Sequence, residues 1–72
     1  MMHTIRLKQF RERKHLSQAQ VAMRVGVHRS YITKMEQGHR LPGRDVLFRL
    51  ARVFGCHVED LVTVDANVSR GG

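Results

Sequence analysis

One stripe of a predicted helix carries four polar residues at helical spacing: Arg29, Ser30, Thr33 and Lys34. Their guanidinium, hydroxyl and ammonium groups all donate hydrogen bonds. The apolar residues Ile32 and Met35 lie on the opposite side of the same helix and are expected to face inward. The stripe is therefore suited to hydrogen bonding with acceptors outside the protein.

No group of residues in the sequence predicts a catalytic site. The sequence has no nucleophile–base set at plausible spacing, no glycine-rich phosphate loop and no paired carboxylates with a pocket to hold them. Ser17 is predicted to be a helix cap. The five histidines stand at positions 3, 15, 28, 39 and 57 and do not have the spacing of metal ligands. We therefore expect no enzyme activity, no cofactor and no bound metal.

The charge of the chain is strongly positive and unevenly distributed. Lys and Arg number 13 against 6 acidic residues, and the net charge is +7. Residues 1–55 hold 12 of the basic residues and three acids, whereas residues 56–72 hold one basic residue and three acids. A basic body favours a polyanionic partner, with nucleic acid as the first candidate and a solvated surface as the alternative.

The length of 72 residues allows one small domain and no separate catalytic or ligand-binding domain. A single cysteine, Cys56, suits a reducing compartment, and we read it as a core residue. The first ten residues lack the apolar segment of a signal peptide, and no apolar run is long enough to span a membrane. We expect a cytoplasmic location without a membrane partner.

Apolar residues recur at helical spacing throughout, and no segment alternates with period two. The pattern predicts an all-α domain over residues 1–64, followed by a short flexible tail over residues 65–72. The five predicted helices cover about 4–14, 18–25, 29–37, 44–54 and 58–63. Thr4 is a plausible N-cap of the first helix, and Ser17 forms a capping box with Gln20 at the second.

The second and third predicted helices are joined by a turn of about three residues around Gly26. Glycine fits the left-handed conformation that a sharp turn needs, and the small Ala22 permits close approach of the two helices. This is the arrangement of a helix-turn-helix motif. Because the apolar residues fill the wedge between the helices, the polar stripe of the third helix must face outward, as a reader of the DNA major groove requires.

Two stretches of the sequence resemble the lambda-repressor-like, Cro-type helix-turn-helix family. The first comprises LSQAQVAMRVGV from Leu16 and RSYITKMEQG from Arg29, followed by Leu41 and Pro42. The second is LFRLARVFGCHVEDL from Leu47. The resemblance extends over about residues 5–62. It implies a compact five-helix domain that binds double-stranded DNA and regulates transcription.

The resemblance also implies roles for individual residues. The expected contacts to base edges come from Arg29, Ser30, Thr33 and Lys34. Ser30 and Thr33 could instead touch a thymine methyl group or have no role, and a phosphate contact is the alternative for Arg29 and Lys34. The expected contacts to phosphates come from Ser17, Gln18, Tyr31, His39, Arg40 and Arg44. A further family pair, Arg11 with Glu36, is expected to form a structural ion pair between the first and third helices.

Three histidines depart from the family pattern. His28 and His57 occupy helix N-cap positions that usually carry Ser or Thr, and His15 stands where Gly is frequent. Because His caps a helix less well than Ser, Asp or Asn, we expect these helix ends to fray somewhat.

A single module of this size would bind DNA weakly, so we expect a homodimer on a two-fold site. The less basic C-terminal end is the expected dimer surface, with Val58, Val62, Val64 and Phe48 as its apolar residues. A repressor or autoregulator is the favoured function. The alternative is an antitoxin or another protein of this fold that acts mainly through a bound protein, such as a toxin or a larger regulator.

Overall fold

Five helices and a short two-stranded ribbon make up the part of the chain that the computed structural model describes, residues 3–64. In chain order they are β1 (His3–Ile5), α1 (Leu7–Arg13), α2 (Gln18–Val25), α3 (Arg29–Glu36), α4 (Arg44–Phe54), α5 (Val58–Leu61) and β2 (Val62–Val64). The predicted five-helix fold is confirmed, with α2, α3 and α4 within one residue of their expected bounds. The predicted tail, residues 65–72, lies outside the described residues.

The start of the first helix was predicted wrongly. Thr4 is not an N-cap, because residues 3–5 form β1, which pairs antiparallel with β2 so that Ile5 lies opposite Val62. The Arg6 amide donates to the Leu61 carbonyl at 2.7 Å and so joins the start of α1 to the end of α5 beside this ribbon. The fifth helix likewise ends at Leu61 rather than at residue 63. Strands of three residues are too short to show alternation, and their pairing is a non-local contact.

The core collects apolar residues from all five helices. Its buried members are Leu7, Val21, Ala22, Val25, Ile32, Met35, Leu50, Ala51, Phe54 and Leu61. Each of them lies at a position that the helical pattern places inside. No polar or charged side chain is fully buried among the residues whose side chains the structure describes. Cys56 is half-buried against this core, and burial, together with the Asp60 carboxylate, raises the pKa of its thiol.

The turn between α2 and α3 is held from two sides. Gly26 has a φ of +83°, and its amide and that of Val27 both donate to the Ala22 carbonyl, at 2.8 and 3.0 Å. The guanidinium of Arg49 in α4 donates to the Val25 carbonyl at 3.2 Å and so occupies one of the free acceptors at the end of α2. The Arg49 guanidinium therefore ties α4 to the turn that joins α2 and α3.

The end of α1 has the same left-handed geometry without a glycine. His15 adopts a φ of +56°, its amide donates to the Glu12 carbonyl at 3.0 Å, and the Leu16 amide donates to the Arg11 carbonyl at 3.1 Å. These two bonds form a Schellman motif, which usually has Gly at this position. The turn between α1 and α2 therefore holds the backbone of His15 in a strained, left-handed conformation.

We expect His15→Gly to stabilise the protein by about 0.5–1 kcal/mol. A side chain in the left-handed region costs about 1–2 kcal/mol, and the greater freedom of glycine in the unfolded chain offsets about 0.4–1 kcal/mol of that gain. Thermal unfolding should show a midpoint higher by about 4 °C. His15→Ala is the matched control, since alanine keeps the strain, and an equal gain from both variants would contradict this explanation.

Candidate nucleic-acid interface

The polar stripe of Arg29, Ser30, Thr33 and Lys34 lies on α3, whose first turn is capped by a histidine. The Nδ1 atom of His28 accepts a hydrogen bond from the Ser30 amide at 3.2 Å and lies 2.9 Å from the Ser30 hydroxyl. A ring nitrogen therefore performs the capping role that Ser or Thr usually performs. At α5 the His57 amide donates to the Asp60 carboxylate at 3.1 Å, so both histidine-started helices have a bond at their N-termini.

Three of the four expected base-contacting residues are exposed on α3: Arg29, Ser30 and Lys34. The fourth, Thr33, is half-buried, and its hydroxyl donates to the Gln18 side chain at 2.7 Å. The buried residues Ile32 and Met35 anchor the opposite side of the helix in the core. The exposed stripe thus has a long cationic side chain at each end, Arg29 and Lys34. The Thr33 hydroxyl is directed toward α2.

A chain of polar contacts connects α1, α2 and α3. Arg11 donates to both carboxylate oxygens of Glu36, through Nε at 2.6 Å and Nη2 at 3.1 Å, and through Nη1 to the Leu16 carbonyl at 2.9 Å. Glu36 Oε1 also accepts from the Gln18 amide nitrogen at 2.9 Å. The structure therefore brings together the two residues of the expected ion pair and joins them to Gln18 and Thr33.

The ion pair is almost enclosed by the protein. Its side chains are 14% exposed for Arg11 and 6% exposed for Glu36. The hydrogen bond from Glu36 raises the pKa of Arg11 above its ordinary value, although burial acts in the opposite direction. Arg11 therefore stays charged at neutral pH and well above it. Its bonds to Glu36 hold the end of α3 against α1.

Ser17 and Gln18 stand together at the start of α2. The predicted capping box is confirmed: the Ser17 hydroxyl accepts from the Gln20 amide at 3.0 Å, and the Ser17 amide donates to the Gln20 side chain at 2.7 Å. The remaining amides at this helix end carry partial positive charge, which favours an anion. Of the expected phosphate contacts, these two residues therefore share one helix terminus.

The loop after α3 is held against α3 by Tyr31. This half-buried ring accepts a hydrogen bond at its hydroxyl from the Gly43 amide at 3.4 Å, and the Arg40 guanidinium lies 5.1 Å from the ring centroid. Ser30, Tyr31, Lys34 and Arg40 line a shallow notch with two cationic side chains. His39 within this loop and Arg44 at the start of α4 are both exposed.

The described residues contain neither a candidate metal site nor a candidate membrane-spanning helix. Among residues 3–64 there is no group of three His, Cys, Asp or Glu side chains that could hold a metal ion. Within the same range no helix has the length and apolar character needed to cross a membrane.

Residues 7–61 match the model of a family described as helix-turn-helix. The chain belongs to this family. The match runs from the start of α1 to the end of α5, and thus includes the packed α2–α3 pair, the ion pair and the exposed stripe. The family expected from the sequence is thereby confirmed.

Relatives by sequence agree with this membership. The chain is 37% identical over 60 residues to an uncharacterized HTH-type transcriptional regulator of Archaeoglobus fulgidus, covering 83% of this chain and 84% of the relative. It is 30% identical over 66 residues to the ImmF control region 10 kDa protein of Bacillus phage phi105, covering 92% of this chain and 73% of the relative. Among solved structures, a chain of the SinR protein/SinI protein complex superposes with a TM-score of 0.69 at 25% identity, covering 90% of this chain and 69% of that one.

Proposed function

We propose that this chain, a DNA-binding transcriptional regulator of the helix-turn-helix family, reads double-stranded DNA by placing α3 in the major groove. The observation that carries the proposal is the exposed stripe of Arg29, Ser30 and Lys34 on a helix whose opposite side is buried in the core. A helix held in this way can present side chains to base edges without losing its orientation.

Arg29 is the proposed main base reader. It is the first residue of α3, where a recognition helix reaches deepest into the groove, and its guanidinium can bond both O6 and N7 of a guanine. Ser30 lies beside it. Its hydroxyl lies 2.9 Å from His28 Nδ1, which also accepts from the Ser30 amide, so the hydroxyl oxygen is left to accept a hydrogen bond. Lys34 stands more than one turn further along, next to Arg40, where it can bond a base or a phosphate.

The proposed phosphate contacts flank the stripe on both sides. Ser17 and Gln18 would meet one phosphate at the start of α2, where the helix end favours negative charge. On the other side, Tyr31 and the loop that it holds would meet the backbone through His39, Arg40 and Arg44. Contacts of this kind fix the register of the protein on the duplex, whereas the base contacts give specificity.

We further propose that the protein works as a homodimer through an apolar surface on α4 and α5. Phe48 is 56% exposed, and a shallow groove beside it contains half-buried Val58 together with Arg52 and Glu59. A two-fold axis through this groove would bury Phe48 and place the opposite charges of the two copies within reach of each other. Val62 is half-buried, and the side chain of Val64 lies outside the described residues.

We expect Phe48→Ser to weaken dimerisation at least tenfold, because burying one such side chain contributes roughly 1.5–3 kcal/mol. Sedimentation equilibrium measures the effect directly. Met23→Ser is the matched control, since Met23 is 75% exposed on α2 and does not line this groove, and its removal should change nothing. A parent protein that is monomeric both free and on a full operator would contradict the dimer.

A dimer on a two-fold operator, with half-sites about 34 Å apart, would act as a repressor or autoregulator by occupying the DNA. A second function is favoured by the exposed Phe48 surface and by the likeness to a chain from a two-protein complex. In that case this chain would be an antitoxin or a similar interaction partner, and a bound toxin or larger regulator would cover Phe48 and compete with the second copy. A stoichiometric heterologous partner that releases the protein from DNA would favour this second function.

Selection of binding sites from random duplex DNA tests the proposed function. The expected result is an enriched sequence with two-fold symmetry and a half-site spacing near one helical turn. Enrichment without symmetry would retain DNA reading but remove the dimer. The absence of any enriched sequence would contradict sequence-specific binding.

A further inference from the structure

The side-chain amide of Gln18 has its hydrogen bonds almost completely assigned within the protein. Its oxygen accepts from the Thr33 hydroxyl at 2.7 Å, and its nitrogen donates to Glu36 Oε1 at 2.9 Å. A Gln amide has two N–H donors. One donor of Gln18 therefore remains for a partner outside this network.

The orientation of this amide follows from the charge of its neighbour. Turning the amide over would place its oxygen against the Glu36 carboxylate, where two acceptors repel each other. Arg11 holds that carboxylate in place through both of its oxygens. The carboxylate thus selects the nitrogen of Gln18, and the amide oxygen is left to receive the Thr33 hydroxyl.

Thr33 differs from its neighbours on the stripe because its hydroxyl donates to a side chain on another helix. Besides the 2.7 Å contact with Gln18, its oxygen lies 3.3 Å from the Arg29 carbonyl one turn earlier. The side chain is half-buried, while Arg29, Ser30 and Lys34 are exposed. A donor used in this way is not available to an acceptor on a base.

We propose that Thr33 is a positioning residue: Thr33 and Glu36 together aim the free N–H of Gln18 at a DNA phosphate. This inference rests on the proposed function, and it moves Thr33 from the base-reading group to the phosphate-binding one. Gln18 is the first residue of α2, so its free donor adds to the positive end of that helix. Thr33 then affects affinity for every sequence alike and has no part in choosing bases.

The test replaces Thr33 with valine, which keeps the branched shape and removes the hydroxyl. Affinity is measured for the selected operator and for a panel of single-base variants, at several salt concentrations. We expect a loss of about fivefold on every sequence, as for one hydrogen bond, with unchanged base preferences. Because the Gln18 amide is uncharged and neutralises no phosphate, the slope of log K against log salt should stay unchanged. Thr33→Ser keeps the donor and should restore the parent behaviour.

Three outcomes would overturn this assignment. Relaxed preference at one base pair in Thr33→Val would make Thr33 a base reader, and unchanged affinity would deny it any role. Equal and additive losses from Thr33→Val and Gln18→Ala would show that the two residues act independently, whereas the proposal requires the double variant to lose no more than Gln18→Ala alone. Thermal unfolding of each variant separates binding from folding, and a parent protein that selects no sequence would fail the proposed function instead.

Discussion

Replacing Arg29 with alanine is expected to lower affinity for the operator by about 1–3 kcal/mol and to relax the preference at one base pair. The guanidinium has no hydrogen-bonding substitute at that place, because Ser30 is shorter and Lys34 lies more than one turn away. Since Arg29 is exposed and outside the core, the fold should be unaffected. Fluorescence anisotropy on the operator and its single-base variants measures both effects.

Arg40→Ala is the matched comparison, because it removes the same charge from the loop beside α3. Its loss should be similar for all sequences, and the salt dependence should become shallower by about one phosphate contact. If Arg29→Ala weakened binding uniformly in the same manner, Arg29 would be a phosphate contact. If it bound every sequence as tightly as the parent, α3 would not be the recognition helix.

Removing Arg11 is expected to lower the free energy of unfolding by about 3 kcal/mol. Arg11→Ala would leave the Glu36 carboxylate, only 6% exposed, without its guanidinium partner, and would also free the Leu16 carbonyl. A small domain has about 5–15 kcal/mol of stability in total, so the loss is large. Urea denaturation monitored by circular dichroism measures it.

Lys8→Ala is the control for this change, because Lys8 is an exposed cation on the same helix. Its effect should stay within about 0.5 kcal/mol. The double variant Arg11→Met with Glu36→Leu should recover much of the stability lost in Arg11→Ala, since it leaves no unpaired charge. A loss below about 0.5 kcal/mol for Arg11→Ala would mean that water solvates Glu36 better than the geometry indicates.

The helices and their caps could be predicted because their signals are local. Ser17 and Gln20 stand three residues apart, and Gly26 marks the turn, so the spacing alone gives the capping box and the helix-turn-helix connection. The inward positions of α4 follow from one periodic run, and Leu50 and Phe54 are indeed buried.

The features that the sequence did not predict all depend on contacts between distant residues. The β1–β2 ribbon joins two three-residue segments from opposite ends of the described chain, and neither segment has a recognisable pattern of its own. Arg49 has a charged side chain of the kind that usually lies on the surface. Only the packing of α4 against the turn brings its guanidinium to the Val25 carbonyl. The direction of the Thr33 hydroxyl likewise depends on Gln18, fifteen residues away.

Guanine analogues in the operator give the most direct test of major-groove reading by α3. Each guanine is replaced in turn by 7-deazaguanine, which lacks the N7 acceptor, and binding is measured for the parent and for Arg29→Ala. The proposed contact predicts one position per half-site where the analogue weakens the parent by about 1–3 kcal/mol and leaves Arg29→Ala unaffected. Equal losses for both proteins at every guanine would contradict base reading by Arg29.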